Sequence, residues 1–320
     1  MTAVQDAAHD APPRIVVLGS INMDLVMRVP HAPAAGETLL GHSIGTIAGG
    51  KGANQAVSCA RQGARVQMIG CVGEDANGAA LREALAREGV DTAQVRTVAD
   101  ASTGVALILV EDSGQNRIVM VPGANARLEV DPGALGAQLR DAAFLVLQFE
   151  TPLEQIGHAI AAAREAGCKV MLNPSPVQDF AQSWWPCIDT LVVNELEAQA
   201  LSGLRADAPQ EAAQAGRALR ARGARRVVVT MGALGAVAVD EAGARHHPAP
   251  AVQPVDSTAA GDTLLGALAA ALAEGADLDA ALSTGIRAAA LCVQRAGAQP
   301  SIPHRDEVLR GPRPPDWRPL

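Results

Sequence analysis

Six short apolar runs alternate with Ala-rich stretches along this chain of 320 residues, and this alternation constrains the fold more than any other feature. The apolar runs are Arg14–Gly19, Val66–Gly70, Phe144–Gln148, Lys169–Leu172, Thr190–Val193 and Val227–Thr230. The Ala-rich stretches, which have helical periodicity, are 53–62, 76–88, 153–166, 210–222, 263–273 and 278–295. Strands that alternate with helices predict a doubly wound α/β fold, with a mainly parallel sheet flanked by helices. In such folds, ligands bind beyond the carboxyl ends of the strands.

Two stretches interrupt this alternation because they contain strand-like segments without intervening helices. They lie at about 23–47 and 101–121, and the second includes a polar turn at Asp112–Asn116. Such segments predict a small second sheet, which we expect to cover the ligand site as a lid.

The two ends of the chain are predicted to lie outside the α/β domain, which spans 14–310. Residues 1–13 are polar and rich in Ala and Pro, and they lack the apolar segment of a signal peptide, so we expect a disordered tail. Residues 311–320 contain four prolines and are predicted to be irregular.

Charge and composition exclude several classes of partner. The net charge of −8 leaves no basic face for nucleic acid or an anionic membrane. Aromatic residues make up 2% of the chain, too few for a base-stacking platform, and no apolar run reaches the length of a transmembrane helix. The five cysteines are odd in number and contain no C-x-x-C pair, which argues against a disulfide framework or zinc site and indicates a cytoplasmic protein.

A helix with an uncrowded N-terminus is predicted near Gly261. Apolar residues recur at helical spacing over 264–272, and Ala259 and Ala260 leave the approach to the first turn open. The free N–H groups and the dipole of such a terminus favour a bound anion. Asp262 would repel that anion unless it faces another group, such as a hydroxyl about to lose its proton. The position therefore fits either a general base for phosphoryl transfer or a simple helix cap.

Polar residues near the predicted strand ends form a second set of candidates. Asn22 and Asp24 are two apart in an extended segment and project to one side, where they can hold vicinal hydroxyls or form an Asx turn. Lys51 and Asn54 belong to a glycine cluster, which either lets a polyol approach the backbone or forms a turn beside a solvated lysine. Glu150 follows the third predicted strand, and this position alone is weak evidence for a ligand contact.

Two common nucleotide-binding motifs are rejected. Gly45–Lys51 fits the P-loop pattern G-x-x-x-x-G-K, but Gly52 follows where a hydroxyl residue would hold Mg²⁺. A Rossmann motif fails because no G-x-G-x-x-G follows the first strand.

Two further strand ends offer groups to a nucleotide. Asn194 and Glu197 are three apart at the start of a predicted helix, which fits a capping box and is also compatible with a carboxylate that holds the water shell of Mg²⁺. The stretch from Thr230 to Gly235 offers a hydroxyl and glycine backbone to phosphates.

The motifs in this order resemble those of the PfkB, or ribokinase, family of carbohydrate kinases from about Arg14 to about Leu309. The motifs that carry the resemblance are Gly19–Asp24, Pro33–Thr38, Gly49–Ala56, Ser102–Ala106, Gly123–Ala126, Asn194-x-x-Glu197, Asp256-x-x-Ala259–Thr263 and Gly297–Ser301. Each alone is modest evidence, but their order and spacing are highly specific.

The resemblance implies ATP-dependent phosphorylation of a sugar, with the 5-hydroxyl of D-ribose as the acceptor. It assigns Asp262 as the base, and the amides around Ala260 and Gly261 as an anion hole for the transferring phosphoryl group. The residues that match sugar contacts are Asn22, Asp24, Gly50, Lys51, Asn54, Glu150 and Asp262. The residues that match nucleotide contacts are Asn194, Thr230, Gly232, Gly235 and Gly261, with Ile286 where some members place a polar or aromatic residue near adenine.

The resemblance also implies two metal ions and a homodimer. An activating K⁺ would bind the side chains of Asp256 and Ser301 and the backbone carbonyls of Thr258, Cys292, Arg295 and Gly297. Glu197 matches a glutamate that is associated with Mg²⁺ through water. Family members commonly dimerise through their lid sheets, and the expected ligands are a small-molecule sugar and ATP.

Two alternatives stay open at this point. One is the same chemistry on 2-deoxyribose, a ketohexose or a nucleoside, and the other is a catalytically silent sugar-binding protein. Asn22 beside Asp24 mildly favours ribose, since a deoxy sugar would leave a buried amide unpaired at a cost of about 1–3 kcal/mol. Asp262 and Gly261 argue against the silent protein, which we would expect to lack the base or the anion hole.

Overall fold

The computed structural model describes residues 11–113 and 115–320. The predicted tail over 1–13 therefore lies outside the described residues except for its last three positions. The strands are β1 Arg14–Leu18, β2 Asn22–Val29, β3 Ser43–Gly49, β4 Arg65–Gly73, β5 Asp91–Val98, β6 Gly104–Glu111, β7 Asn116–Val121, β8 Phe144–Gln148, β9 Lys169–Asn173, β10 Ile188–Asn194, β11 Arg226–Thr230, β12 Ala236–Asp240, β13 Gly243–His247 and β14 Arg318–Pro319.

The α-helices include six that follow the predicted Ala-rich stretches, one that begins at the predicted capping pair of Asn194 and Glu197, and two, Pro132–Leu139 and Arg305–Arg310, that the sequence did not predict. They are α1 Lys51–Arg61, α2 Ala76–Arg87, α3 Pro132–Leu139, α4 Leu153–Ala166, α5 Glu195–Ser202, α6 Pro209–Ala221, α7 Ala260–Ala273, α8 Leu278–Cys292 and α9 Arg305–Arg310. Within the described ranges, no helix combines the length and the apolar character that a membrane span requires.

Ten strands form one large sheet in the order β14-β13-β12-β11-β10-β9-β8-β1-β4-β5. Neighbouring strands are parallel from β11 to β5 and antiparallel from β14 to β11. Successive residues of a strand point to opposite faces, so Val16 and Leu18 join one core cluster while Ile15 and Val17 join the other. The sheet is therefore buried on both sides, which confirms the predicted doubly wound α/β fold.

The C-terminal tail is not irregular throughout, which corrects the prediction for 311–320. Arg318–Pro319 pairs with β13, and the N–H of Leu320 donates to the carbonyl of Ala244 at 2.9 Å. The strand is only two residues long, so it has no periodicity that could distinguish it from a proline-rich tail.

Four strands form the smaller sheet, in the order β3-β2-β6-β7. The two central strands, β2 and β6, are parallel, and each pairs antiparallel with an edge strand. These strands occupy most of the predicted lid segments at 23–47 and 101–121, but residues 30–42 contain no strand. Gly45–Gly49 lies in β3 and not in a phosphate-binding loop, as expected from the rejection of a P-loop.

A polar network joins the start of β6 to the end of β4. Asp75 caps α2 and accepts hydrogen bonds from Gly78 N (2.8 Å), Thr103 N (2.7 Å) and Thr103 Oγ1 (2.6 Å). Thr103 Oγ1 in turn accepts from Gly73 N at 2.9 Å. Burial opposes the ionisation of Asp75, but the bonds from Thr103 and Gly78 outweigh it and lower the pKa of this carboxyl. The ionised Asp75 therefore holds the lid strand β6 against the large sheet.

We expect Asp75→Ala to lower the free energy of unfolding by roughly 1–3 kcal/mol at pH 7, because a helix cap is lost and buried Thr103 loses its partner. Since folding lowers the pKa of Asp75, its contribution is present above the ordinary aspartate pKa of about 3.9 and is lost as the pH falls through the lowered value. Urea unfolding at pH 7 and pH 3 measures both effects. Asp131→Ala removes the exposed cap of α3 and is the matched control. An equal loss of unfolding free energy in Asp131→Ala would contradict a contribution from the hydrogen bonds between Asp75 and Thr103.

Candidate active site

The N-terminus of α7 is open and offers two free N–H groups. Its N-cap, Ala259, has a left-handed backbone (φ 60°), which is uncommon for a residue with a side chain. Ala260 N donates to the carbonyl of Ser257 at 3.2 Å, so this predicted member of the anion hole is already engaged. The N–H groups of Gly261 and Asp262 have no partner among the described residues, and a Cβ at Gly261 would meet no atom within 4 Å. An anion can therefore reach both N–H groups.

The carboxylate of Asp262 is directed at α1 and not at its own helix end. The residue is 8% exposed. Its Oδ2 accepts from Asn54 Nδ2 at 3.1 Å, and its Oδ1 accepts from Gln55 Nε2 at 2.8 Å. Because the cap position belongs to Ala259 and no side chain caps α7, the interpretation of Asp262 as a simple cap is wrong.

Asn54 has a second polar atom that lacks a partner. Its Nδ2 is used by Asp262, and its buried Oδ1 makes no hydrogen bond in the described part of the chain. Buried polar atoms are nearly always paired. A ligand hydroxyl beside Asp262 would supply the missing donor, so this orphaned oxygen fits a polyol site.

Asn22 and Asp24 begin the lid strand β2 and are 4% and 7% exposed. Asn22 Oδ1 accepts from Asn125 Nδ2 at 2.7 Å, which leaves the amide nitrogen of Asn22 to donate to a ligand. The carboxylate of Asp24 lies against Gly49, where a Cβ would stand 2.1 Å from Asp24 Oδ2. Glycine is therefore required at that position of β3.

Asn125 holds the side chain of Asn22 in place and also bonds the backbone of Ile21, which connects β1 of the large sheet to β2 of the smaller sheet. Its Oδ1 accepts from Ile21 N at 2.9 Å, and its Nδ2 also donates to the carbonyl of Ile21 at 3.2 Å. Asn125 is 1% exposed. Its motif was part of the resemblance, but the sequence assigned it no role, because its partners lie 103 and 104 positions away.

Glu150 and Lys51 meet where β8 ends and α1 begins. Glu150 Oε2 accepts from Ser20 Oγ at 2.6 Å and from Lys51 N at 3.3 Å. The preceding residue, Gly50, has φ 90°, and a Cβ there would lie 2.7 Å from Asn22 N. This glycine therefore allows α1 to start directly against the beginning of β2.

The site concentrates negative charge. Burial, followed by repulsion from Glu150 and Asp262, raises the pKa of Asp24 to about 7. Burial also raises the pKa of Glu150, although Ser20 and Lys51 act in the opposite direction. For Lys51, burial opposes the charged form, but the attraction of nearby carboxylates outweighs it and raises the pKa of the ammonium. The free site thus holds the ammonium group of Lys51 among buried carboxyl groups.

Four of the predicted nucleotide contacts lie at or just after the ends of β10 and β11, the sheet edge that also holds Glu150, whereas Gly261 lies in the first turn of α7. Asn194 and Glu197 form a capping box, with Glu197 N to Asn194 Oδ1 at 2.8 Å and Asn194 N to Glu197 Oε2 at 2.9 Å. The capping interpretation is therefore confirmed, and Glu197 Oε1 is not used by it. Thr230 ends β11, followed by a turn that contains Gly232 and Gly235.

Ile286 differs from the other predicted nucleotide contacts in its surroundings. It lies in α8, is 3% exposed and belongs to the core cluster on one face of the large sheet. Its side chain therefore presents little surface to a nucleotide base.

The residues that the resemblance assigns to K⁺ come together beside the start of α7. Asp256 Oδ2 accepts from Gly297 N at 2.8 Å, and Asp256 Oδ1 accepts from Thr258 N at 2.9 Å. Cys292 Sγ lies 3.0 Å from Ser301 Oγ and 3.6 Å from the carbonyl of Thr258. Arg295 N donates to the carbonyl of Cys292 at 3.0 Å. A carboxylate, a hydroxyl and carbonyls form an all-oxygen set that suits a hard cation such as K⁺.

The sequence did not identify three of the polar residues that shape the site. Gln55, Asn125 and Gln148 are all fully or almost fully buried and contact candidate residues or one another. Polar residues inside otherwise apolar segments were the available signal, since buried amides need partners. The partners themselves are far away in the sequence and are visible only in the fold.

Comparisons with known proteins show which family this chain resembles. The model of the pfkB family carbohydrate kinases matches residues 12–305. A ribokinase of Haemophilus influenzae is 41% identical over 296 residues, which cover 92% of this chain and 97% of the relative. A deoxyribokinase of Salmonella typhi is 34% identical over 291 residues, with 90% and 95% covered. The structure of Arabidopsis thaliana ribokinase complexed with ribose and ATP matches with a TM-score of 0.87 at 34% identity, over 94% of this chain and 98% of that chain.

Proposed function

This chain belongs to the pfkB family of carbohydrate kinases, and on that premise we propose that it transfers the γ-phosphoryl group of ATP to the 5-hydroxyl of D-ribose. The observation that carries the proposal is the buried carboxylate of Asp262 beside the open N-terminus of α7. The carboxylate can take the proton of a hydroxyl, and the helix terminus can hold the phosphoryl group that this hydroxyl attacks.

The chemical step follows from these two groups. The sugar hydroxyl gives its proton to Asp262 while its oxygen forms a bond to the γ-phosphorus, and the bond from that phosphorus to the bridging oxygen breaks, so ADP leaves with the electron pair. The free N–H groups of Gly261 and Asp262 stabilise the charge on the transferring phosphoryl group. Asn22, Asp24 and Asn54 orient the sugar through its other hydroxyls.

Two cations complete the proposal. Glu197 would hold Mg²⁺ through water, and the metal would neutralise charge on the phosphates. Asp256, Ser301 and the neighbouring carbonyls would hold K⁺ at the start of α7. Replacing KCl with NaCl at fixed ionic strength tests the K⁺ site, and equal rates would contradict it.

The choice of sugar rests on the buried polar groups of β2. An unpaired amide of Asn22 would cost about 1–3 kcal/mol with a sugar that lacks its hydroxyl partner. The deoxyribokinase relative makes 2-deoxyribose the specific alternative. The test is ADP production by the purified protein with Mg-ATP and KCl, comparing D-ribose with 2-deoxyribose, fructose, tagatose and adenosine. A preference for ribose of about tenfold in kcat/KM is expected. Equal kcat/KM values for 2-deoxyribose and D-ribose would overturn the proposed substrate. No activity on any acceptor would favour a catalytically silent sugar-binding protein.

We expect Asn125→Asp to raise the KM for the sugar about tenfold while the KM for ATP changes less than twofold. The substitution puts an acceptor in place of the amide nitrogen that donates to Asn22 Oδ1 and to the carbonyl of Ile21, and leaving a buried acceptor unpaired costs about 1–3 kcal/mol. Initial rates at varied sugar and varied ATP measure the two constants. Asn116→Asp, at an exposed position of the same lid sheet, is the control for the added charge. Equal changes in both KM values would contradict a role confined to the sugar.

The lid also supports a proposal for assembly. All residues of the edge strand β7 are exposed, and four of them, Ile118–Val121, are apolar. An unpaired apolar edge strand favours pairing with another chain, so we propose a homodimer through the lid sheets. The five free cysteines support a reducing compartment such as the cytoplasm.

A further inference from the structure

Two fully buried glutamines connect Asp262 to the centre of the large sheet. Gln55 lies in α1 and Gln148 ends β8, and both side chains are 0% exposed. Gln55 Nε2 donates to Asp262 Oδ1 at 2.8 Å, and Gln148 Nε2 donates to Gln55 Oε1 at 2.6 Å. The three side chains therefore form a continuous relay that starts inside the sheet and ends at the carboxylate.

The direction of this relay is fixed by chemistry. An ionised carboxylate can only accept, so Gln55 must turn its amide nitrogen to Asp262 and its amide oxygen to Gln148. Gln148 must then present its nitrogen, and its buried Oε1 has no partner in the described part of the chain. An apolar side chain would fill the same space without this unsatisfied oxygen. Packing alone therefore does not explain the pair of amides.

We propose that Gln55 and Gln148 are positioning residues that hold the carboxylate of Asp262 toward the sugar hydroxyl, a role that rests on the function proposed above. Asn54 donates to Oδ2 while Gln55 donates to Oδ1, so each carboxylate oxygen has a fixed donor from α1. These two bonds oppose rotation of the carboxylate and keep lone pairs directed at the pocket. A base needs such fixed geometry, because a misplacement of about 1 Å can cost roughly 10²-fold in rate.

The first test removes the relay by Gln55→Met and Gln148→Met. We expect kcat to fall roughly 10–10²-fold in each variant while the KM for ribose stays within about threefold, because the sugar contacts are untouched. Gln62→Met is the matched control. Gln62 is also a buried glutamine, 4% exposed, but its side chain donates to the carbonyl of Pro303 and makes no hydrogen bond to a site residue. Its kcat is expected to equal that of the unmodified protein.

The second test uses substitutions of equal size, which avoid a packing defect. Gln55→Glu places a carboxyl group against Asp262, and two adjacent carboxyl groups share one proton near neutral pH. The acid limb of the kcat–pH profile is expected to move to higher pH, by about one pH unit or more. The charged and titratable groups around Asp262, namely Asp24, Lys51, Glu150 and Cys292, are the same in both proteins. Gln148→Glu cannot donate to Gln55 when its carboxyl group is ionised, and it is expected to lower kcat with a smaller shift of the pH profile.

The outcomes separate this proposal from the proposed function. A lack of turnover by the unmodified protein on every sugar would overturn the function itself and the positioning role with it. Normal turnover by the unmodified protein, with kcat and pH profile unchanged in Gln55→Met and Gln55→Glu, would overturn the positioning role alone. A higher KM at unchanged kcat would also overturn it, because the glutamines would then serve sugar binding.

Discussion

Asp262→Asn is expected to lower kcat for the sugar by about 10²–10⁴-fold, the usual loss for a positioned general base. The amide has the size of the carboxylate but cannot take the proton of the hydroxyl. In Asp262, one carboxylate oxygen accepts a hydrogen bond from Asn54 Nδ2 and the other accepts one from Gln55 Nε2. In the variant, one of these two donors would face the NH₂ group of the new amide, which cannot accept a hydrogen bond. ADP release at saturating ATP and ribose measures kcat, and we expect the KM for ribose to change much less than kcat.

Asp131→Asn is the matched control for this substitution. Asp131 is a true helix cap, whose side chain accepts from the N–H groups of Gly133 and Ala134 at the start of α3. Asparagine caps a helix about as well as aspartate, so this variant should retain both stability and turnover. If Asp262→Asn also kept kcat within about threefold, Asp262 would be only a partner for Asn54 and Gln55, and the base would have to be another group.

The fold was predictable where local patterns determine the structure. The helix α4, Leu153–Ala166, and the strand β8, Phe144–Gln148, have the predicted bounds because continuous apolar or Ala-rich periodicity defines both. The parallel pairing of β2 with β6 joins residues about 80 positions apart, and no turn pattern reports such a contact. The two residues of β14 form a strand only because β13 offers a free edge.

The site was predictable in the residues that lie at strand ends and helix starts, and not in the buried polar residues that support them. Strand ends and helix starts point to Asn22, Lys51 and Asp262 because the carboxyl ends of parallel strands gather at one edge. The orientation of Asp262 depends on Gln55, which is 207 positions away. Similarly, the engagement of Ala260 N by Ser257 depends on the left-handed backbone of Ala259, which sequence patterns do not favour.

Asp24→Asn is expected to stabilise the free protein while it weakens the enzyme. Folding raises the pKa of Asp24 from 3.8 to about 7, mainly through burial, so the folded state keeps a proton that the unfolded chain releases between these values. The associated stability is fully present below pH 3.8 and is lost as the pH rises through about 7. Asparagine carries no charge at any pH. The variant should therefore exceed the unmodified protein in free energy of unfolding by on the order of 2–4 kcal/mol at pH 8, with little difference near pH 4.

The same substitution should lower kcat/KM for ribose roughly 10–10²-fold at pH 8, because the sugar hydroxyls lose a charged acceptor worth about 1.5–3 kcal/mol. In the unmodified protein, protonation of Asp24 should lower kcat/KM about tenfold per pH unit below pH 7, and this limb should disappear in the variant. Urea unfolding at pH 4 and pH 8, with initial rates from pH 5 to 8, measures both effects, and Asp112→Asn on the exposed lid turn is the control. A variant that is no more stable at pH 8 would contradict the burial of an unfavourable charge. If the variant has both a higher free energy of unfolding and a lower kcat/KM for ribose, the free site keeps a destabilising carboxylate because the bound sugar requires it.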